Sequence, residues 1–305
     1  MNTPQIVEMI CSQNSPAEAG VFFYILQMNC AHIDHHRRTV TRPPTLHPNM
    51  SNFLQSKTAI VTGGSGTIGK AIAQTLLASG CNVFITGRNQ KRLDEAAAEL
   101  ANDNGAIPNP NPNRGKVQTF QGDVLNEDDV AKLFDAVREA HGGVDLLVNN
   151  AGTAIPGATH ELSVEDFDRV MRVNVTGPFI CAREAIRMMK AGKKGGRIVN
   201  IGSISGYSPR PNSASYTSSK FALLGLSHSL SLDCRKDGIA VGIIHPGNVT
   251  PGNVKNAMFP ERKEEGSIHA EDVAHCVLAM ASLPYHANVL EMTVLPTTQP
   301  LVGRG

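Results

Sequence analysis

The chain has 305 residues, of which 41% are hydrophobic, enough for one large domain or two ordinary ones with a buried core. Its 28 basic and 27 acidic residues nearly cancel, so we expect no polybasic surface for nucleic acid or anionic lipid. No apolar run approaches the ~18–20 residues of a membrane span. The six cysteines form no C-x-x-C pair, which favours reduced thiols in the cytoplasm.

Residues 1–49 show no sustained hydrophobic period, and we expect them to form a flexible N-terminal extension. His32, His35 and His36 lie in this stretch without a second cluster of ligands, so we interpret them as a solvated tail and expect no metal site. The acidic residues in this stretch argue against an organellar transit peptide. Met50 directly precedes the region of alternating strands and helices, so an alternative interpretation is that translation starts there. The sequence therefore predicts a single domain over residues 50–305.

From Ser51 onward, short β-branched runs alternate with longer amphipathic segments. This alternation predicts a doubly wound, Rossmann-type α/β fold, in which a mostly parallel sheet of seven strands is covered by helices on both faces. The predicted strands are 58–62, 82–86, 116–120, 145–149, 197–201, 240–244 and 289–295. The predicted helices are 68–79, 90–101, 127–141, 163–191, 214–236 and 270–282, with a capping box at 163–166 opening the fourth.

The first predicted strand runs directly into TGGSGTIG, a glycine-rich turn followed by a helix. Glycines in this G-x-G-x-x-G pattern permit a tight turn and close approach of a pyrophosphate, which the free N–H groups of the helix start can bind. A glycine-rich turn without any ligand is the alternative, but the flanking strand and helix count against it. The predicted dinucleotide-binding residues here are Gly63, Gly64, Ser65, Gly66, Thr67, Ile68 and Gly69.

The second predicted strand ends in ITGRN, with Arg88 where an NAD-binding protein usually places an acid. A carboxylate would repel a 2′-phosphate, whereas a guanidinium attracts it and can form two hydrogen bonds to it. This residue predicts that NADP(H) is preferred over NAD(H). The alternative is that Arg88 is simply a solvated surface arginine.

The segment YTSSK places Tyr216 and Lys220 four residues apart, on one face of a predicted helix. Ser203 stands thirteen residues before Tyr216, just after the fifth predicted strand. Ligands bind beyond the carboxyl ends of parallel strands, so a hydroxyl, a phenol and an ammonium can meet at that edge. Taken alone, the pentapeptide could be only a polar turn of a helix. The glycine-rich turn and Ser203, which fall at the same edge of the sheet, favour catalysis instead.

With these motifs the sequence resembles the short-chain dehydrogenase/reductase family, in its branch with a Tyr-x-x-x-Lys active site. The resemblance covers about 250 residues, from Lys57 to near Pro300. It depends on several motifs in order. These are the glycine-rich turn, Asp123-Val124, Asn149-Asn150-Ala151-Gly152, Asn174, Ser203, Tyr216 with Lys220, and Pro246-Gly247.

The resemblance implies four catalytic residues. Tyr216 would be the general acid and base, and Lys220 would lower its pKa and bind the nicotinamide ribose. Ser203 would orient the substrate oxygen, and Asn174 would support a water-linked proton relay. The resemblance also implies that cofactor contacts come from Asp123, Val124, Asn150, Tyr216, Lys220, Pro246, Gly247, Val249 and Thr250.

The chemistry can also be argued from the residue types. Hydride arriving at a carbonyl carbon leaves negative charge on the oxygen, which must receive a proton at nearly the same time. A phenol has a pKa near ~10, and a neighbouring cation stabilises the phenolate. The sequence therefore predicts an NADP-dependent oxidoreductase that acts on a small carbonyl compound or secondary alcohol.

Two departures from the family pattern keep alternatives open. Thr67 stands where this branch usually has glycine, so that TGGSGTIG is similar to the turn of the extended relatives, which include epimerases and dehydratases that retain NADP. Thr250 follows Val249 directly, one position earlier than the usual threonine. A third hypothesis is an NADP-binding sensor without turnover, although it would not need Ser203, Tyr216 and Lys220.

The remaining expectations concern packing and assembly. Substrate identity depends on the irregular loops 153–162, 204–213 and 251–269. Cys81 and Cys181 are predicted to be core thiols. The two long helices carry apolar residues beyond those that cover the sheet, and in relatives such helices pair subunits, so a homodimer or homotetramer is expected.

Overall fold

The computed structural model describes residues 53–102, 113–250 and 265–301; the predicted extension at residues 1–49 and its histidines lie outside them. Within these ranges strands and helices alternate along the chain. The strands are β1 Thr58–Thr62, β2 Asn82–Gly87, β3 Val117–Gln121, β4 Leu146–Asn149, β5 Gly196–Ile201, β6 Ile239–Pro246 and β7 Glu291–Val294. The α-helices are α1 Thr67–Ala78, α2 Gln90–Ala101, α3 Glu127–His141, α4 Val164–Met171, α5 Gly177–Gly192, α6 Ala214–Cys234 and α7 Ala270–Ala281.

The strands form one parallel sheet in the order β3-β2-β1-β4-β5-β6-β7, which confirms the predicted seven-stranded, doubly wound fold. The chain builds outward from β1 to β3 and then returns to the other side of β1 with β4. Val61 of β1 pairs with Val148 of β4 at this point. The carboxyl ends of β1 and β4 therefore border the crevice in which doubly wound sheets bind ligands.

Alternate residues of each strand enter two separate cores, one on each face of the sheet. Ala59 and Val61 of β1 belong to the core under α1 and α7, whereas Ile60 belongs to the core under α3, α5 and α6. Cys81 and Cys181 are buried as predicted, one in each core. Burial raises the pKa of the Cys181 thiol to about 12, so it stays protonated near neutral pH.

Short polar side chains begin several helices. Asn126 accepts hydrogen bonds from the amides of Asp128 and Asp129 at the start of α3. The capping box predicted at 163–166 forms only in part: Ser163 Oγ accepts from the Asp166 amide at 3.1 Å, but the Asp166 carboxylate bonds the Ser163 hydroxyl instead of its backbone N–H. Across the described ranges, no helix combines the length and apolar character needed to cross a bilayer.

The helix predicted over 163–191 is not continuous. A π-helical turn at Arg172–Thr176 separates α4 from α5, and it contains the buried Asn174. Such turns are frequent at functional sites because the wider hydrogen-bond spacing alters where one side chain lies. The turn brings Asn174 to the carboxyl edge of the sheet, where it contacts the segment that follows β4.

Candidate active site

A cleft of about 1740 Å³ runs along the carboxyl edge of the sheet. Most of the site residues predicted from sequence line it, and they come from seven separate segments of the chain. Gly64 and Asn174 lie behind its lining instead of in it. The predicted residues in the lining are Gly63, Ser65, Gly66, Thr67, Ile68, Gly69, Arg88, Asp123, Val124, Asn150, Ser203, Tyr216, Lys220, Pro246, Gly247, Val249 and Thr250.

The glycine-rich turn brings the start of α1 into the cleft. Gly63 has a positive φ of 63°, which the turn requires and a side chain would strain. Gly66 is the N-cap residue of α1 and has ordinary extended dihedral angles, so Thr67 fits as the first helical residue. No side chain caps this helix, and its positive amide end faces the cleft where a pyrophosphate would bind.

Two glycines of the motif should respond differently to alanine. A Cβ on Gly64 would lie 2.6 Å from the Cβ of buried Ile85, so we expect Gly64→Ala to lower the free energy of unfolding by about 1–3 kcal/mol. A Cβ on Gly66 would meet only the Gly63 carbonyl oxygen, at 3.3 Å, but would stand at the start of α1, where a pyrophosphate would approach if a dinucleotide bound there. Gly66→Ala should therefore keep wild-type stability in urea denaturation and weaken NADPH binding in a fluorescence titration. Equal losses of stability in both variants would contradict this assignment.

Arg88 lines the cleft close to the glycine-rich turn. It is exposed, directly follows β2, and shares this end of the cleft with Ser65 and Arg92. Arg92 was not predicted from the sequence. It lies in the first turn of α2, where a basic side chain interacts unfavourably with the helix dipole, and this unusual placement was the signal that could have pointed to the site. Two guanidinium groups therefore flank the cleft here.

Asp123 and Asn150 both hold the backbone around the cleft. The Asp123 carboxylate accepts a hydrogen bond from the Leu125 amide at 3.0 Å. The Asn150 side chain donates to the carbonyl oxygens of Thr62 and Gly63, at 3.0 and 3.2 Å. Thr62 was also not predicted from the sequence. Its hydroxyl oxygen accepts a hydrogen bond from the backbone N–H of Asn150 at 3.0 Å. These bonds join the ends of β1 and β4 and fix the glycine-rich turn.

Asn174 is committed to structural contacts through its side chain. Its amide nitrogen donates to the Thr153 carbonyl at 2.8 Å and to Ser219 Oγ at 3.0 Å, and its oxygen accepts from the Thr153 amide at 2.8 Å. Ser219 in turn donates to the carbonyl of Tyr216 at 2.7 Å. Asn174 thereby ties the segment after β4 to the helix that carries Tyr216.

Ser203, Tyr216 and Lys220 meet at the end of β5, as the spacing predicted. Lys220 Nζ lies 5.5 Å from the centroid of the Tyr216 ring and donates to the Ile201 carbonyl at 2.9 Å. The Ser203 side chain is hydrogen-bonded to the phenol. It also accepts from the Ser205 amide at 3.1 Å, which occupies a lone pair of the hydroxyl and leaves its proton for donation.

The pKa of Tyr216 shifts against the expectation from sequence. Burial raises this pKa, and it outweighs both the hydrogen bond from Ser203 and the positive charge of Arg210, which lower it. The physical reason is that a phenolate loses more hydration here than these contacts return. Burial also lowers the pKa of Lys220 to about 8, so this ammonium gives up its proton far more easily than a solvated lysine.

The segment after β6 closes the other side of the cleft with Pro246, Gly247, Val249 and Thr250. Despite its shifted position, Thr250 is held in the wall: its amide donates to the Ile268 carbonyl at 2.8 Å and its hydroxyl bonds that of Ser267 at 2.8 Å. Arg210, a lining residue missed from sequence, donates to Asn248 Oδ1 at 2.6 Å. The predicted substrate loop 251–269 is described only from residue 265 onward.

Comparison with known proteins identifies the family to which the chain is similar. The family model for short chain dehydrogenases matches residues 57–262. An uncharacterized oxidoreductase of Staphylococcus saprophyticus is 32% identical over 243 residues, which are 80% of this chain and 98% of that protein. An alcohol dehydrogenase from the archaeon Thermococcus sibiricus, complexed with 5-hydroxy-NADP, superposes with a TM-score of 0.69 at 26% identity, over 80% of this chain and 98% of its own.

A metagenomic short-chain oxidoreductase in complex with NADP is also similar, with a TM-score of 0.67 and 30% identity over 80% of this chain and 99% of that one. The family match spans more than half of the present chain and includes the cleft residues up to Thr250. Members of this family are oxidoreductases that bind nicotinamide cofactors and act on small molecules. The chain belongs to the short-chain dehydrogenase family.

Proposed function

We propose that this enzyme is an NADP(H)-dependent oxidoreductase that interconverts a small carbonyl compound and the corresponding secondary alcohol, with Tyr216 as the general acid and base. The observation that carries the proposal is the meeting of Ser203, Tyr216 and Lys220 in one cleft with the uncapped start of α1. The residues fit a dinucleotide, since glycines leave room for a pyrophosphate and Arg88 with Arg92 flank the ribose end. When bound, the cofactor supplies or accepts the hydride.

The protein's own groups would manage the proton and the charge on the substrate oxygen. Ser203 donates its hydroxyl proton toward that oxygen, an electrostatic contribution typically worth ~2.7–4 kcal/mol when such a donor is removed. Tyr216 protonates the oxygen during reduction and takes the proton back during oxidation. Lys220, fixed on the Ile201 carbonyl, keeps a positive charge beside the phenol during this exchange.

The proposed preference for NADP(H) is supported by the two guanidinium groups at the end of β2, and both structural relatives described above contain an NADP-type ligand. We expect Arg88→Asp to raise KM for NADPH at least tenfold and to leave KM for NADH nearly unchanged, because a carboxylate repels the 2′-phosphate alone. Steady-state kinetics with both cofactors measure this. Arg138→Asp, which changes an exposed arginine of α3, is the matched control. An unchanged ratio of the two KM values would remove the argument for NADP.

The most direct test of the function is a screen of aldehydes, ketones and quinones that follows NADPH absorbance, with NADH in parallel. One NADPH should be consumed for each carbonyl reduced. An epimerase or dehydratase would return the hydride and show product without net loss of NADPH. A sensor would bind NADPH and convert no compound of the panel. Either result would overturn the proposed reaction.

We further propose that the enzyme works in the cytoplasm as a homodimer or homotetramer, with residues 50–305 as the catalytic domain and 1–49 as an extension. Apolar side chains on the long helices support the assembly: Phe179 of α5 is 42% exposed, Phe221 of α6 is 45% exposed and Leu232 of α6 is 63% exposed. Burying such side chains between subunits is favourable. A monomer mass by light scattering at micromolar concentration would refute the assembly.

A further inference from the structure

His245 lies directly behind the catalytic serine. It is on β6, immediately before Pro246, and its side chain is fully buried. Its Nδ1 lies 2.9 Å from the carbonyl oxygen of Ser203. Since a carbonyl oxygen can only accept, this nitrogen carries the proton and donates it. The hydrogen bond joins β6 to the loop that follows β5.

The rest of the imidazole is enclosed without a second polar partner. Among the described residues, Nε2 is buried with no hydrogen bond, so the ring is the neutral Nδ1–H tautomer. Burial lowers the pKa of His245 and outweighs the hydrogen bond to the Ser203 carbonyl, which raises it; the charges of Lys220 and His228 lower it further. The doubly protonated ring, which would need a partner for Nε2, is therefore disfavoured. The imidazole therefore makes a single hydrogen bond, in which Nδ1–H donates to the Ser203 carbonyl oxygen.

Close packing fixes the orientation of the ring. A Cβ on Gly202 would lie 2.8 Å from His245 Nδ1, and the Tyr207 ring packs on the imidazole with 4.5 Å between centroids. The hydroxyl of Tyr207 is anchored by a hydrogen bond to Glu291 of β7, whose carboxylate also bonds His228 of α6 at 2.6 Å. This arrangement allows the imidazole little freedom to rotate away from Ser203.

Two side chains thus hold the backbone on either side of Gly202. Lys220 donates to the carbonyl of Ile201, and His245 donates to the carbonyl of Ser203. The orientation of the Ser203 peptide determines where its hydroxyl points, and that hydroxyl contacts the Tyr216 phenol. A displacement of about 1 Å in such a group can cost about a hundredfold in rate.

We propose that His245 is a positioning residue for the reaction, which holds the Ser203 carbonyl and thereby aims the Ser203 hydroxyl at the substrate oxygen. The proposal rests on the proposed function, because it assumes that Ser203 contacts the reacting oxygen. His245 itself does not line the cleft. It acts through Ser203 alone.

Three substitutions at position 245 separate positioning from simple packing. His245→Leu fills the space but removes the donor, and we expect kcat to fall about 10–100-fold while NADPH binding is retained. His245→Asn places an amide N–H near the position of Nδ1 and should restore most of the lost rate. His245→Gln carries the same amide one methylene farther out and should not. Rates are measured with NADPH and para-nitrobenzaldehyde, or the best compound of the carbonyl screen.

A double-mutant cycle with Ser203→Ala provides the decisive readout. If His245 acts through Ser203, His245→Leu should lower kcat in the wild-type background and have no further effect in the Ser203→Ala background. Equal losses in both backgrounds would show a merely structural role and overturn the proposal. If His245→Leu fails to fold, the comparison of Asn with Gln decides, and equal rates for those two variants would overturn it as well.

The failure of this inference can be told from failure of the proposed function. If Ser203→Ala and Tyr216→Phe keep wild-type turnover, the proposed chemistry is wrong, whatever the variants of His245 do. If both lose turnover but His245→Leu keeps wild-type kcat, the chemistry stands and the positioning role of His245 is refuted. Urea denaturation and NADPH titration of each variant exclude loss of folding as the cause.

Discussion

Tyr216→Phe should lower the rate of hydride transfer to a carbonyl by several orders of magnitude while NADPH still binds. The substitution removes the hydroxyl that exchanges the proton with the substrate oxygen and keeps the ring that packs beneath Lys220. General acid–base groups contribute about 10²–10⁴-fold to rate, so kcat should fall by that amount. NADPH affinity, measured by fluorescence titration, should fall by no more than about tenfold, since one neutral hydrogen bond is worth about 0.5–1.5 kcal/mol.

Tyr285→Phe is the matched control. Tyr285 lies outside the cleft lining, and its hydroxyl donates a hydrogen bond to Asp145 at 3.3 Å, near the start of β4. Its loss should leave kcat close to the wild-type value. Turnover that survives in Tyr216→Phe would contradict the assignment of the general acid. Loss of NADPH binding in that variant would indicate a damaged cleft, and Tyr216→Leu would show whether the ring itself is required.

Lys220→Met should produce a protein that is more stable without cofactor and nearly inactive. Lys220 is 6% exposed, and burial lowers its pKa from 10.5 to about 8. The protonated form of this side chain therefore has a free-energy cost in the folded protein. Methionine removes that cost, on the order of 3 kcal/mol, and loses the bond to the Ile201 carbonyl, about 1 kcal/mol. The free energy of unfolding at pH 7 should rise by about 1–3 kcal/mol, while kcat falls because the cation beside the phenol is gone.

The sign of the pH dependence follows from the same shift. Between pH about 8 and 10.5 the unfolded chain holds a proton on Lys220 that the folded chain releases. The stability of the wild-type protein from this group therefore increases as pH rises through that window. The advantage of Lys220→Met should accordingly shrink between pH 7 and pH 10 in urea denaturation. An advantage that stays constant would contradict the lowered pKa.

Lys57→Met gives the opposite control. Lys57 pairs with Asp145 at 2.9 Å at the amino ends of β1 and β4, on the edge of the sheet opposite to the cleft. Burial opposes its charge, but the hydrogen bond to Asp145, together with the electrostatic contributions of Tyr285 and Asp145, outweighs burial and raises the pKa of Lys57. Its replacement should therefore lower stability at pH 7 and leave kcat unchanged. Stabilisation by both substitutions would show that the gain at position 220 is only hydrophobic.

Local sequence determined the strands, the helices and the edge at which the site forms. β-branched runs such as TAIVT are buried on both faces, which only a covered parallel sheet permits, and β1 has the predicted bounds Thr58–Thr62. The spacing of Tyr216 and Lys220 on one helix face likewise needs no tertiary information. Each of these features depends on residues within a few positions of one another.

Only the tertiary structure decided the electrostatics and the supporting contacts. The π-helical turn at Arg172–Thr176 arises where Asn174 bonds segments 21 and 45 residues away. The pKa of Tyr216 rises because burial sums over neighbours that are remote in sequence. His245 contacts Ser203, 42 residues earlier, only because β5 and β6 are adjacent in the sheet. Desolvation and hydrogen bonding act across space, so a pattern read along the chain cannot supply them.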